Sequence, residues 1–320
     1  MVLSDIMDIM DRGNHSSVTE FIILGLYIGQ QHKLIFFFIF FIIYLITIVG
    51  NLFILTLIIN DSRLHSPMYF FLANLSIVDL HCVSVTVPKM LDNFLSDRKS
   101  ISFFGCMLQM YCFQFFIVVE CYILAAMAYD RYVAICYPLN YTLIMNRRVR
   151  FQLIAGCWLM GFLNSVTEAV CVSTLDFCGP NVIDHIFCDI PPLYKLSCSS
   201  IFAHEIVFMV VVFISGIIPF LLVVASYACI VSAILKIRTS TGRRKTFSTC
   251  ASHLMVVTLY YGSGTYCYVN PYSMYAMSQE VKVIAVLYSV INPMLNPIIY
   301  SMRNKEVKGA FKTLFLRKRF

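Results

Sequence analysis

Apolar residues along this chain come in long unbroken runs, not in short alternating stretches. The runs lie at about 34–59, 67–93, 101–136, 149–171, 201–235, 247–270 and 281–302. Each is long enough to cross a hydrocarbon layer as a helix. Backbone groups in lipid must pair within their own segment, so helices are the expected form. Barrel strands would alternate, and these runs do not. The expected fold is therefore an all-α membrane protein, a bundle of seven transmembrane helices. A polar segment, 1–33, precedes it. A tail, 303–320, follows, in which basic residues interleave with Phe311, Leu314, Phe315 and Leu316. That tail reads as a short amphipathic helix on the membrane surface. No internal repeat and no second domain is visible.

Composition agrees with this pattern. Of 320 residues, 59% are hydrophobic and 13% charged, more apolar surface than a soluble domain of this size can hide. The net charge of +7 would suit nucleic acid, but its distribution does not. Arg63, Arg131, Arg147, Arg148, Arg150, Lys236, Arg238, Arg243, Arg244, Lys245 and the basic tail fall on one side of the seven spans. This positive-inside asymmetry puts the N-terminus outside and the C-terminus in the cytoplasm, with the basic residues facing anionic lipid or a cytoplasmic partner. No basic n-region precedes a cleavable apolar core, so the first span is expected to direct insertion. Asn14-His15-Ser16 is a glycosylation sequon on the outer side.

Several positions stand out chemically. Asp130-Arg131-Tyr132 closes the third span, where charged groups are costly without a role. Asp79 and Glu120 lie inside spans two and three. Eleven residues separate Glu120 from Arg131, which puts both on the bundle-facing side of one helix at about 100° per residue. Two buried carboxylates cannot both stay ionised without a counter-charge. Either a cation sits between them, with Asn51, Asn292 and Asn296 completing an oxygen-rich site, or protons are shared in a neutral network. Pro293 and Pro297 should open the last helix locally. Cys106, Cys178, Cys188 and Cys198 lie on the outer side and allow three pairings. A rival use of that loop is a metal site of His185, Cys188 and Asp189.

The segments Leu64–Leu80, Met127–Tyr141, Ser226-Tyr227, Lys245–Leu254 and Pro293–Lys308 together make the chain resemble a class A, rhodopsin-like G-protein-coupled receptor of the odorant (olfactory) type. The resemblance covers nearly the whole chain. It implies an odorant receptor, not an enzyme, in which a small volatile ligand activates a stimulatory, olfactory-type heterotrimeric G protein and raises cyclic AMP. It implies that Arg131 pairs with Asp130 at rest and is released on activation, with Tyr227 and Tyr300 stabilising the open state. Tyr132 belongs to the same motif, and Lys245 lies where span six meets the cytoplasm. It implies the bridges Cys106–Cys188 and Cys178–Cys198, and sodium near Asp79. It also implies a plasma-membrane location in sensory-neuron cilia, with receptor-transporting accessory proteins and arrestin as partners.

For the ligand pocket, Phe113 and Ile117 share the Glu120 face, flanked by Gln114. Tyr261, Gly264, Thr265 and Tyr268 recur at helical spacing on span six, and Ser289 faces in from span seven. Such a cavity suits small, weakly polar molecules. Phe113 supplies no carboxylate, which disfavours a charged amine, and no lysine lies in mid-span seven for a retinal Schiff base. A transporter would want related halves, and an intramembrane enzyme would want a catalytic motif. Neither is present. No cofactor is expected beyond a possible sodium ion.

Overall fold

The computed structural model describes residues 18–237, 239–269, 278–303 and 306–311, leaving out the side chains at 244, 245, 248, 249, 302 and 303. Asn14 lies outside the described residues, as does the Lys245 side chain.

Seven long helices carry the fold: α1 (Lys33–Asn60), α2 (Pro67–Leu95), α3 (Phe103–Cys136), α4 (Arg147–Ser173), α5 (Phe202–Leu235), α6 (Ser240–Tyr268) and α7, which begins at Gln279 and ends at Arg303. All but α6 are long and apolar enough to span a membrane; α6 is richer in Ser, Thr and Tyr. Their starts follow from local chemistry. Pro67 sits in the first turn of α2, where its missing N–H is harmless. Ser102, Asn146, Thr239 and Ser278 cap α3, α4, α6 and α7 by accepting a hydrogen bond from a backbone N–H three residues on.

The helix α3 is the enclosed axis, while α1 and α5 present much of their apolar surface outward, as helices facing lipid do. Close helix approach depends on glycine at two places. A Cβ at Gly161 would lie 2.9 Å from the Phe115 carbonyl oxygen, where α4 meets α3, and one at Gly50 would lie 3.0 Å from Pro297, where α1 meets α7.

Two helices contain a π-turn just before a proline: Phe213–Ile217 ahead of Pro219 in α5, and Leu287–Ile291 ahead of Pro293 in α7. A proline ring clashes with the carbonyl four residues back and offers no N–H. Widening the preceding turn relieves the clash, and Ile218 and Asn292 then donate to Phe213 and Leu287, five residues back. The carbonyl of Ile214 would need the N–H that Pro219 lacks, and Tyr122 on α3 supplies a hydroxyl instead at 2.9 Å. The Pro293 carbonyl, deprived by Pro297, receives Asn51 Nδ2 at 3.1 Å. The opening expected at Pro293 and Pro297 therefore lies on their N-terminal side.

One end of the bundle carries a small sheet of three strands, β1 (Glu20–Ile23), β2 (Ser100–Ser102) and β3 (Val182–Ile183), in the order β2-β1-β3. β1 runs antiparallel to β2, with Phe21 opposite Ile101, and parallel to β3, with Ile22 opposite Val182. Phe21 and Ile23 are fully buried beneath it. Gly25, at φ +74°, turns the chain away from the sheet. At the opposite end, which we call the tail end, residues 306–311 are helical. They are tied back by Tyr69, whose hydroxyl donates to Glu306 at 2.6 Å, and by Phe311 against Phe53.

Candidate ligand cavity and switch region

At the sheet end a loop is pinned over the bundle. Cys106 at the start of α3 is bonded to Cys188, and Cys178 to Cys198, with Cα separations of 5.4 and 5.9 Å. The bridges consume Cys188, which leaves no metal trio with His185 and Asp189; no such cluster occurs among the described residues. Gln109 braces the same loop, accepting from the Cys188 N–H at 3.0 Å and donating to the Val85 carbonyl at 2.9 Å. Lys282, buried at the start of α7, pairs with Asp184 at 2.5 Å and donates to the Gly25 carbonyl.

Beneath the loop lies a cavity of about 80 Å³. Helical spacing builds its walls: Gln114, Ile117, Val118 and Cys121 from α3, and Tyr260, Tyr261, Gly264, Thr265 and Tyr268 from α6. The α5 wall includes Phe208, Val212 and Phe220, with Ser215, Gly216 and Ile217 from its π-turn. Tyr288, in the other π-turn, closes the α7 side, and Asn164 and Glu168 form the α4 wall.

Most of the polar groups here are already engaged. The Asp189 carboxylate hangs from the loop and accepts from Tyr268 at 2.7 Å, from its own helical turn at Ile190 at 2.8 Å and from Gln114 at 3.0 Å. Burial still pushes its carboxyl up to about 6 against those bonds. Burial pushes the neighbouring His185, packed edge-on to Phe187, down to about 4. Tyr268 also meets the Tyr288 hydroxyl at 2.9 Å. Tyr260 and Tyr261 donate to the Ile117 and Cys121 carbonyls at 2.5 and 2.8 Å, holding α6 against α3.

Two expected lining residues stand elsewhere. Phe113 is fully buried behind the wall, its ring 4.5 Å from Phe187. Ser289 donates to its own helix at the Ala285 carbonyl, 2.6 Å away, as a buried serine often does. The α4 and α5 walls were missed. Glu168, a lone carboxylate in an apolar span, was the available signal. It also removes the ground for disfavouring an amine, since a carboxylate does face the cavity, from α4 rather than from position 113.

Mid-bundle, Asn296 donates to both Asp79 oxygens at 3.1 and 3.0 Å. Glu120 is buried with neither carboxylate oxygen bonded, and the Asn51 and Asn292 side-chain oxygens are likewise unpartnered among the described residues. Unsatisfied carboxylate and amide oxygens are the donor set of a hard cation, and the residues present fit one.

Towards the tail end, Asp130 and Arg131 do not pair. Asp130 accepts from Tyr141 at 2.8 Å, and Arg131 Nε has no partner among the described residues. Neighbours in a helix point about 100° apart and do not face each other, so the pair expected from the resemblance does not form here. Tyr132 meets the Tyr137 hydroxyl at 3.4 Å. Tyr227 donates to His253 Nδ1 at 2.8 Å, and His253 Nε2 meets the Leu124 carbonyl at 3.1 Å. A carbonyl only accepts, so the neutral ring carries its hydrogen on Nε2. His253, fully buried and not singled out in the sequence, thus joins α5, α6 and α3. The Tyr300 hydroxyl has no partner among the described residues.

Comparison with known proteins gives one answer. Residues 40–318 match the family model described as olfactory receptor. The chain is 45% identical over 308 residues to olfactory receptor 3A10 of Mus musculus, covering 96% of this chain and 98% of that one. It is 47% identical over 312 residues to olfactory receptor 5AR1 of Mus musculus, covering 97% and 99%. Against olfactory receptor 5G3 of Homo sapiens the figures are 47% over 311 residues, covering 97% and 99%.

Proposed function

The chain belongs to the olfactory receptor family, a family of signalling receptors and not of enzymes, and from that premise we propose that it binds a small volatile molecule in the cavity between α3, α4, α5, α6 and α7 and passes the event to a heterotrimeric G protein at the tail end. It is a multi-pass membrane protein. In our reading the sheet end lies outside the cell and the tail end in the cytoplasm of sensory-neuron cilia. The G protein is of the stimulatory, olfactory type, so cyclic AMP rises. Receptor-transporting proteins, arrestin and anionic lipid are further partners of the tail end, and Asn14 carries glycan.

The observation that carries this reading is the route from cavity to switch. Tyr260 and Tyr261 line the cavity and fasten α6 to α3. About two turns further along, His253 fastens α6 to α3 and α5. A ligand that draws the tyrosines off their carbonyls removes part of what keeps α6 shut, and the far end of α6 swings from Arg131. Arg131, Tyr227 and Tyr300 then meet the G protein or each other. Sodium held by Asp79, Glu120, Asn51, Asn292 and Asn296 would favour the closed arrangement by neutralising the carboxylates. A panel of volatiles applied to cells carrying a cyclic AMP reporter, followed by nucleotide exchange on a purified stimulatory Gα subunit, tests the reading. Exchange promoted by an active volatile supports it, and a bound ligand without exchange overturns it.

A further inference from the structure

The α4 wall of the cavity differs in kind from the others. Asn164 and Glu168 stand one helical turn apart, and both line the cavity. Glu168 is 1% exposed, and neither of its carboxylate oxygens has a hydrogen-bond partner among the described residues; the same is true of Asn164 Oδ1. Buried polar groups in native proteins are nearly always bonded, and a buried carboxylate most of all. The tyrosine hydroxyls across the cavity do not serve it. Tyr260 and Tyr261 donate to α3 carbonyls, and Tyr268 donates to Asp189. Among the described residues, no lysine, arginine or histidine lines the cavity. The two Glu168 oxygens and Asn164 Oδ1 thus lie buried in the cavity wall without a donor among the described residues.

We propose that Glu168, with Asn164 beside it, is the polar anchor of this cavity and that the ligand class is a small apolar amine. This rests on the ligand reading above. The ammonium group supplies N–H donors for the Glu168 oxygens and for Asn164 Oδ1, and it supplies the counter-charge. The hydrocarbon body fills the space between Ile117, Val118, Val212 and Phe220. A carboxylic acid would meet Glu168 oxygen to oxygen and is rejected. An alcohol offers one O–H and no charge, and binds more weakly.

The test uses the purified full-length receptor and three probes with the same hydrocarbon body: hexylamine, hexanol and hexanoic acid, repeated with the cyclohexyl series. Binding is read from the rise in unfolding temperature, without any signalling partner. The amine should stabilise the unaltered receptor at concentrations about 30-fold or more below those the alcohol needs, and the acid should not stabilise it. Glu168→Gln should erase the preference for the amine, and Glu168→Asp should keep part of it. Equal stabilisation by amine and alcohol, no stabilisation by any amine, or an amine preference that survives Glu168→Gln would each overturn the assignment. Should Glu168→Gln fail to fold, the probe series on the unaltered chain still decides. A receptor that binds amines yet promotes no nucleotide exchange counts against the signalling reading and leaves the anchor standing.

Discussion

The sheet end and the inner half of the bundle treat buried polar groups in opposite ways. At the sheet end, Asp189 holds three hydrogen bonds, Gln109 is satisfied at both ends, Lys282 has its carboxylate, and two disulfides fix the loop. In the inner half, Glu120, Asn292, Arg131 and Tyr300 all carry buried atoms without partners among the described residues. A fully bonded network has one arrangement and resists change. A set of unmatched groups has several arrangements of similar energy, which is what a switch requires. In the function proposed above, the sheet-end half serves as the frame and the tail-end half as the moving part. Exceptions occur within the frame: besides the Glu168–Asn164 wall, the Asn93 amide and the Nδ1 atoms of His185 and His204 are buried without partners among the described residues.

The contrast can be broken most severely at the frame. Cys188→Ser releases a loop closed across 82 residues, a loss of about 2–5 kcal/mol for a native bridge. The variant should fail to reach the cell surface, as surface labelling would reveal. On the moving side, Arg131→Ala removes a side chain whose Nε bonds to nothing here. Surface labelling should stay near normal while ligand-stimulated cyclic AMP falls to background; a retained response would mean that Arg131 is not part of the switch.

Smaller effects sharpen the boundary between the halves. His253→Phe deletes two bonds between helices, each worth about 1 kcal/mol. Basal cyclic AMP should rise several-fold, and an unchanged basal level would place the latch elsewhere. The frame also carries a concealed pH balance. For Asp189, raised from 3.8 to about 6, the folded chain holds the extra proton, so stability is lost as pH rises through that window. For His185, lowered from 6.5 to about 4, the unfolded chain holds the extra proton, so stability is lost as pH falls from 6.5 towards 4. Each contributes roughly 3 kcal/mol at most, with opposite sign, so unfolding temperature should vary little between pH 4 and 6.5. Asp189→Asn should unmask the histidine and make the receptor weaker in acid. A flat profile in that variant would show that His185 is not buried uncharged.

The helices were legible in the sequence because run length and the demands of lipid leave few alternatives. The strands were not. Phe21, Ile101 and Val182 belong to segments far apart in the chain, and their pairing exists only after the bundle has brought them together. Periodicity served for Gln114, Ile117, Tyr261, Gly264, Thr265 and Tyr268, which all line the cavity. It misplaced Phe113, which shares a face with the lining yet is screened by Phe187, and Ser289, which lies inside a π-turn where the 3.6-residue period no longer holds. The Asp130–Arg131 pair followed from resemblance, and helix geometry opposes it.

Those π-turns have a consequence for specificity. Each stores one surplus residue, so every side chain beyond it is rotated by about 100° from where an unbroken helix would aim it. Moving that surplus by a single position exchanges one hydrogen bond for another and swings a different side chain towards the guest. Two such sliding joints, at Phe213–Ile217 and Leu287–Ile291, flank the chamber, so its inner surface can be re-tiled without altering the length or the ends of any helix.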